Sequence, residues 1–142
     1  MRALLDVNVL IALLDAAHVG HGSARAWLEA NIAQGWASCP LTQNACVRML
    51  SQRAYLGSQP PSVIAARLAD AVGTPWHACW PDDLSLLDPG WADWRQVLGS
   101  RQLTAVYLLA LAVRRGGRLV TFDRAVPLAA VANARKEHLE TI

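Results

Sequence analysis

The chain has 142 residues, 54% of them hydrophobic and 17% charged, which suits one ordered domain with its own core and excludes a disordered or low-complexity chain. A formal net charge of +2 removes the electrostatic case for strong, indiscriminate nucleic-acid binding. No apolar run reaches the ~20 residues of a membrane-spanning helix, and Asp6 interrupts the start before a signal-peptide core could form, so a cytoplasmic protein with no membrane role is expected.

Taken in chain order, apolar runs alternate with helical patterns, which predicts an α/β fold with a mostly parallel sheet covered by helices, in one domain over residues 1–142. Ala3 to Asp6 reads as a buried strand running straight into an apolar helix from Val7 to Leu14. The polar turn His18 to Ser23 leads to an amphipathic helix, Ala24 to Gln34, that Gly35 stops. Trp36 to Ser38 is a short strand, and Pro40 opens a helix to about Ser51, proline being tolerated in a first turn. After the loop Gly57 to Pro61, Ser62 is placed to cap a helix ending at Val72. Trp76 to Trp80 is the next strand. Asp82 to Ser100 is irregular apart from a short helix at Trp91 to Leu98, and Thr104 is the expected N-cap of a strongly apolar helix ending at Arg114–Arg115. The pair Gly116–Gly117 stops that helix. Arg118 to Phe122 is a strand, and a terminal strand occupies about His138 to Ile142.

Cys39, Cys46 and Cys79 have no CxxC spacing and no histidine at ligand distance, so buried free thiols are expected rather than a zinc site. Arginine supplies twelve of the thirteen cations, with Lys136 the remaining one. Arginine suits bidentate phosphate contacts, and a GC-rich genome gives the same bias. Of six tryptophans, Trp27 and Trp36 read as core, while Trp76, Trp80, Trp91 and Trp94 surround the irregular segment, where packing or a dimer contact is expected ahead of base stacking. His18 and His21 read as surface histidines of a polar turn, and no histidine has triad spacing.

Two acids stand out by position. Asp6 and Asp123 each follow an apolar strand, and ligands of open α/β sheets bind beyond the carboxyl ends of strands. Either Asp alone reads as a helix cap. As a pair on one edge, with Asn8 two residues after the first and Thr121 two before the second, they form a candidate oxygen-ligand site for magnesium or manganese. Asp82–Asp83 is a peripheral ligand or, with more weight, a solvated turn.

The sequence also resembles a known family. Asp6-Val-Asn8-Val-Leu-Ile-Ala-Leu-Leu is similar to the opening motif of PIN domains and Val120-Thr121-Phe122-Asp123 to their late strand motif. Pro40-Leu-Thr-Gln-Asn-Ala-Cys-Val-Arg48, Trp80-Pro-Asp-Asp-Leu-Ser-Leu-Leu-Asp88 and Gln102-Leu-Thr-Ala-Val-Tyr-Leu-Leu-Ala-Leu-Ala112 resemble the intervening segments of VapC-type toxins. The resemblance covers nearly the whole chain and implies a three-layer PIN-like fold. It further implies a metal-dependent endoribonuclease using Mg2+ or Mn2+, a structured RNA substrate such as tRNA, a homodimer, and control by a VapB-type antitoxin. Carried over residue by residue, Asp6 and Asp123 are the metal ligands and Asn8 and Thr121 supporting polar groups. Arg48, five residues beyond Gln43, reads from its position as a solvent or antitoxin contact first and a phosphate contact second.

Two catalytic positions depart from the family pattern. Gln43 stands where many relatives carry Glu, and Ala105 where they carry Asp. An amide binds a cation through its oxygen but brings no charge, and alanine binds none. An engineered Asp→Ala change at 105 and a naturally inactive homologue both fit. This chain is therefore expected to be an inert or slow nuclease, the alternative being a PIN-like binding protein that acts through antitoxin or RNA contacts. Asp6, Gln43, residue 105 and Asp123 are expected to meet in one cleft. A receiver-type phosphoacceptor fits poorly, since the one lysine, Lys136, lies in the tail and not at a late strand end, and dinucleotide or P-loop binding fails for lack of GxGxxG or GxxxxGK[ST].

Overall fold

Five short strands pair wholly in parallel, in the order β3-β2-β1-β4-β5, in the computed structural model, which describes all residues from Met1 to Ile142. The strands are β1 (Ala3–Leu5), β2 (Trp36–Ser38), β3 (His77–Cys79), β4 (Arg118–Thr121) and β5 (Leu139–Thr141). The helices are α1 (Val7–Leu14), α2 (His21–Asn31), α3 (Pro40–Leu50), α4 (Pro61–Val72) and α5 (Leu103–Arg114). No helix is long and apolar enough to cross a membrane.

Period-two alternation divides the core into two layers. Ala3 and Leu5 of β1, Trp36 of β2 and Val120 of β4 face one cluster, built with α1 to α4. Leu4, Ala37 and Leu119 face the other, built with α5 and the irregular segment through Leu84, Leu86, Trp91 and Val97. Apolar side chains on both faces explain why the strands read as continuous hydrophobic runs. The chain lays β1, β2 and β3 in one direction, then returns to place β4 on the other side of β1. That reversal opens a crevice beyond the carboxyl ends of β1 and β4, the usual ligand position in such sheets.

Several boundaries differ from expectation for local physical reasons. Thr104 is not the N-cap of α5. A 3-10 turn at Ser100–Gln102 winds directly into the helix, so Thr104 is its second residue and Ala105 its third. The helix α4 begins at Pro61, so Ser62 lies inside its first turn, and the expected helix at Trp91 to Leu98 is a single 3-10 turn at Trp94–Gln96. α2 starts at His21, earlier than expected, because His18 receives the Gly20 amide at Nδ1 (2.9 Å) and closes the preceding turn. Cys39 and Cys46 are buried, and burial pushes both thiols up to about 11. Cys79 is exposed, since it sits on the edge strand β3. The tryptophans do not form one group. Trp80 is buried against Gly117, and Trp76 and Trp94 are exposed. Trp27 is half-buried and holds Glu140 of β5 through its indole N–H (2.8 Å).

Gly117 explains the close join between α5 and β4. A Cβ there would lie 2.6 Å from the Arg2 carbonyl oxygen and 2.6 Å from the Trp80 ring, and neither backbone nor buried indole can yield cheaply. Gly117→Ala is expected to lower stability by ~1–3 kcal/mol, read by thermal or urea unfolding. Unchanged stability would show that this join relaxes freely.

Candidate functional site at the carboxyl edge of the sheet

The site begins with two short-range preferences. Asp6 leaves β1 in extended conformation and caps α1, its Oδ1 accepting the Val7 amide at 2.7 Å. Thr121 ends β4, and its hydroxyl donates to Asp6 Oδ2 at 2.6 Å. Asn8 Nδ2 and the Asp123 amide each donate to Thr121 Oγ, both at 3.0 Å. Asn8 Oδ1 in turn receives the Phe122 amide at 3.2 Å. One hydroxyl thus joins Asp6, Asn8 and Asp123. The capping role and the shared-edge role of Asp6 coexist, because its two carboxylate oxygens serve different partners.

Asp6 is buried, whereas Asp123 is exposed and accepts the Ala125 amide at 2.8 Å. Burial holds the Asp6 carboxyl above its ordinary range, and the Asp123 charge adds to this. Hydrogen bonds from Thr121 and Val7 oppose the rise. A buried carboxylate beside a second one is stabilised by a cation.

An open cleft of about 1190 Å³ extends from Asp6 and Asn8 between α1, α3 and α4. Gln43, Arg48, Asp82 and Thr104 also line it. Arg48 is exposed and makes no ion pair, which leaves its guanidinium available to an anion. Asp123 and Ala105 are not among the lining residues. Asp123 joins through Thr121, and Ala105 is buried one residue beyond Thr104, within the core layer of α5.

Asp82 is more than a solvated turn. Its Oδ2 accepts the Leu41 amide at 2.9 Å in the first turn of α3, and its Oδ1 accepts the Tyr107 hydroxyl at 3.1 Å. Asp83 beside it instead pairs with Arg115 at 2.7 Å and Arg114 at 3.5 Å. His18 lines the cleft and stacks on Phe122, with ring centroids 6.5 Å apart. The sequence does not point to Ser38, which accepts the Gln43 side chain, or to His77, which bonds Ser38 from the neighbouring strand. The one available signal was a serine at the end of a buried strand, where a hydroxyl needs a partner.

No group of three His, Cys, Asp or Glu side chains is placed to hold a metal. The donor chemistry still fits a hard, hydrated cation, since magnesium is commonly held by one or two carboxylates and completes its shell with water and substrate phosphate. Asp6 and Asp123 would hold it.

No family model matches the chain. Over 144 aligned positions, spanning 100% of both chains, it is 50% identical to ribonuclease VapC44 of Mycobacterium tuberculosis. The chain belongs to the VapC family. A second relative, ribonuclease VapC39 of the same organism, is 43% identical over 127 positions, covering 89% of this chain and 91% of the relative. Two solved structures share the fold at low identity. Mycobacterium tuberculosis VapC20, described as a sarcin–ricin-loop-cleaving toxin, superposes with a TM-score of 0.62 at 16% identity, over 94% of this chain and 98% of its own. A chain of VapBC2 from Rickettsia felis, solved on a promoter DNA fragment, gives 0.63 at 11% identity, over 99% and 98%. The architecture of this VapC chain is the three-layer PIN-like fold expected from its motifs.

Proposed function

We propose that this VapC chain is built as a metal-dependent endoribonuclease toxin and that, with Ala105 and Gln43, it works slowly or not at all. The observation that supports this most is the Thr121 hydroxyl joining Asp6, Asn8 and Asp123 at the switch point between β1 and β4. A Mg2+ or Mn2+ ion bound there supplies Lewis acidity to a water and neutralises charge on the scissile phosphodiester. The protein's own part is placement. Thr121 donates its single proton to Asp6 and so keeps that carboxylate turned toward β4, while Asn8 fixes the Thr121 lone pairs and the Phe122 amide. Arg48 serves an RNA phosphate across the cleft.

The substrate is a structured RNA, with tRNA the family-level expectation. VapC20 is described as cutting a defined loop, and a net charge of +2 argues against indiscriminate binding. The proposed partners are a VapB-type antitoxin, in keeping with the VapBC2 assembly, and a second copy of the chain. Leu56, Leu87 and Leu98 are individually exposed apolar side chains that such partners would cover.

The test is cleavage of total RNA and of folded tRNA by the Ala105→Asp protein in Mg2+, in Mn2+ and in chelator. Site-specific cleavage that needs the metal is expected. Cleavage undiminished in chelator would overturn the acidic-site reading. No cleavage of either RNA under any condition would favour the PIN-like binding protein, for which the buried Ala105 already speaks.

A further inference from the structure

Beside the cleft, a three-residue hydrogen-bond chain crosses from the sheet edge to α3. Gln43 Nε2 lies 2.8 Å from Ser38 Oγ and 3.8 Å from the Cys79 sulfur. Ser38 Oγ lies 2.8 Å from His77 Nε2 on the neighbouring strand. Ser38 has no solvent exposure, so its hydroxyl has no water to turn to and its one proton must go along this chain. Gln43 at the far end lines the cleft.

We infer that His77 is a positioning residue, which through Ser38 sets which end of the Gln43 amide faces the cleft. The inference rests on the reading of this cleft as the RNA-cleaving site and adds to it a control on one wall. The protons available to the three groups fix the order of the chain. With a neutral ring that carries its proton on Nδ1, Nε2 can only accept. Ser38 donates to it and accepts from Gln43 Nε2, so the carbonyl oxygen of Gln43 is left for the cleft. With a proton on Nε2 the order reverses. The ring donates to Ser38, Ser38 must donate onward, and the only acceptor Gln43 offers is Oε1. The amide then turns and presents its NH2 group to the cleft. A carbonyl oxygen suits a cation, and an NH2 group suits a phosphate oxygen.

The surroundings favour the first arrangement at neutral pH. Burial holds the His77 ring below its ordinary value, Arg2 pushes the same way, and the Val72 backbone, as a hydrogen-bond partner of the ring, opposes them. Arg2 is the charged group bearing on the ring, its guanidinium fixed to the carbonyls of Trp36 (3.1 Å) and Trp76 (2.8 Å). From β2 the ring meets Trp36, at 4.4 Å between centroids, and Ser38. From α4 it meets the Val72 backbone. β2 carries no titrating group, and Arg67 and Asp70 of α4 are not among the groups that shift the ring. The reversal therefore falls on the acid side of neutrality.

The test needs no RNA, so it stands or falls apart from the nuclease reading. Side-chain nitrogen NMR of the full chain should show His77 protonated on Nδ1 at neutral pH. On acidification the Gln43 side-chain amide resonances should shift with the same midpoint as the His77 ring. Ser38→Ala should remove that common midpoint. Gln43→Glu, which has no N–H to give, should move the ring proton to Nε2 and tighten proton binding by about tenfold. If Ser38→Ala does not fold, the unmodified chain and Gln43→Glu decide the matter. A ring protonated on Nε2 at neutral pH, Gln43 resonances indifferent to the His77 titration, or a ring unchanged by Gln43→Glu would each overturn the inference.

Discussion

Ala105→Asp should raise metal-dependent RNA cleavage by at least tens of fold over the unmodified chain. In this chain the Thr121 hydroxyl donates to the Asp6 carboxylate and accepts from the backbone amide of Asp123, so Asp6 and Asp123 are the acids it brings to one edge. Residue 105 is an alanine in the third position of α5. A unit charge pair ~4 Å apart is worth about 4 kcal/mol gross at an effective dielectric near 20, and about double that for a dication, most of it offset by hydration. A net remainder of ~1.4–3 kcal/mol is tenfold to about a hundredfold in affinity. The first turn of a helix also favours an anion by ~0.3–1 kcal/mol. Burial of the 105 position works against an ionised carboxylate unless a cation accompanies it, so without metal the substitution should cost stability. The experiment is Mn2+ titration by calorimetry together with initial cleavage rates for both proteins. Equal rates would mean that residue 105 is not a ligand position and that this segment has been matched to the family pattern incorrectly.

Asp6→Asn, placed in the Ala105→Asp protein, should reduce cleavage by at least about a hundredfold, or ~2.7 kcal/mol in barrier, while leaving the metal-free fold within ~1 kcal/mol. The two readouts separate because Asp6 has opposed roles. Its charge holds the cation, yet in the folded chain that charge is disfavoured by burial and by Asp123. The sign follows from linkage. A carboxyl held above its unfolded value binds its proton more tightly when folded, so its destabilising effect is absent in acid and grows as pH rises from the unfolded value through the raised one. An amide removes that cost. It also loses one hydrogen bond, since it cannot accept from both Val7 and Thr121 as the carboxylate does. The same logic makes millimolar Mg2+ or Mn2+ raise the melting temperature at neutral pH. That gain should fade as Asp6 protonates and should vanish in Asp6→Asn. A variant that kept both cleavage and the metal-induced gain would remove Asp6 from the site.

The sequence by itself determined the elements whose causes are local. The run Ala3 to Asp6 into Val7, the strand Trp36–Ser38 and the helix opened by Pro40 all appear where apolar period and breaker residues put them, because those signals act over a few residues. The two acids at strand ends were legible for the same reason, and the motifs around them named the family. The order β3-β2-β1-β4-β5 was not legible. It is the pairing of β1 with β4, across more than a hundred residues of chain, that brings Thr121 to Asp6 and makes one site of a helix cap, Asp6, and a turn residue, Asp123, which caps no helix. The direct start of α5 from a 3-10 turn and the exposure of Cys79 on an edge strand were likewise decided by neighbours distant in sequence. So was the bond from Ser38 to His77, whose partners lie 39 residues apart. Local hydrophobic pattern sets where the backbone bends and stops. Which hydroxyl meets which carboxylate or ring depends on strand order and register, and those emerge only when two buried faces are packed together.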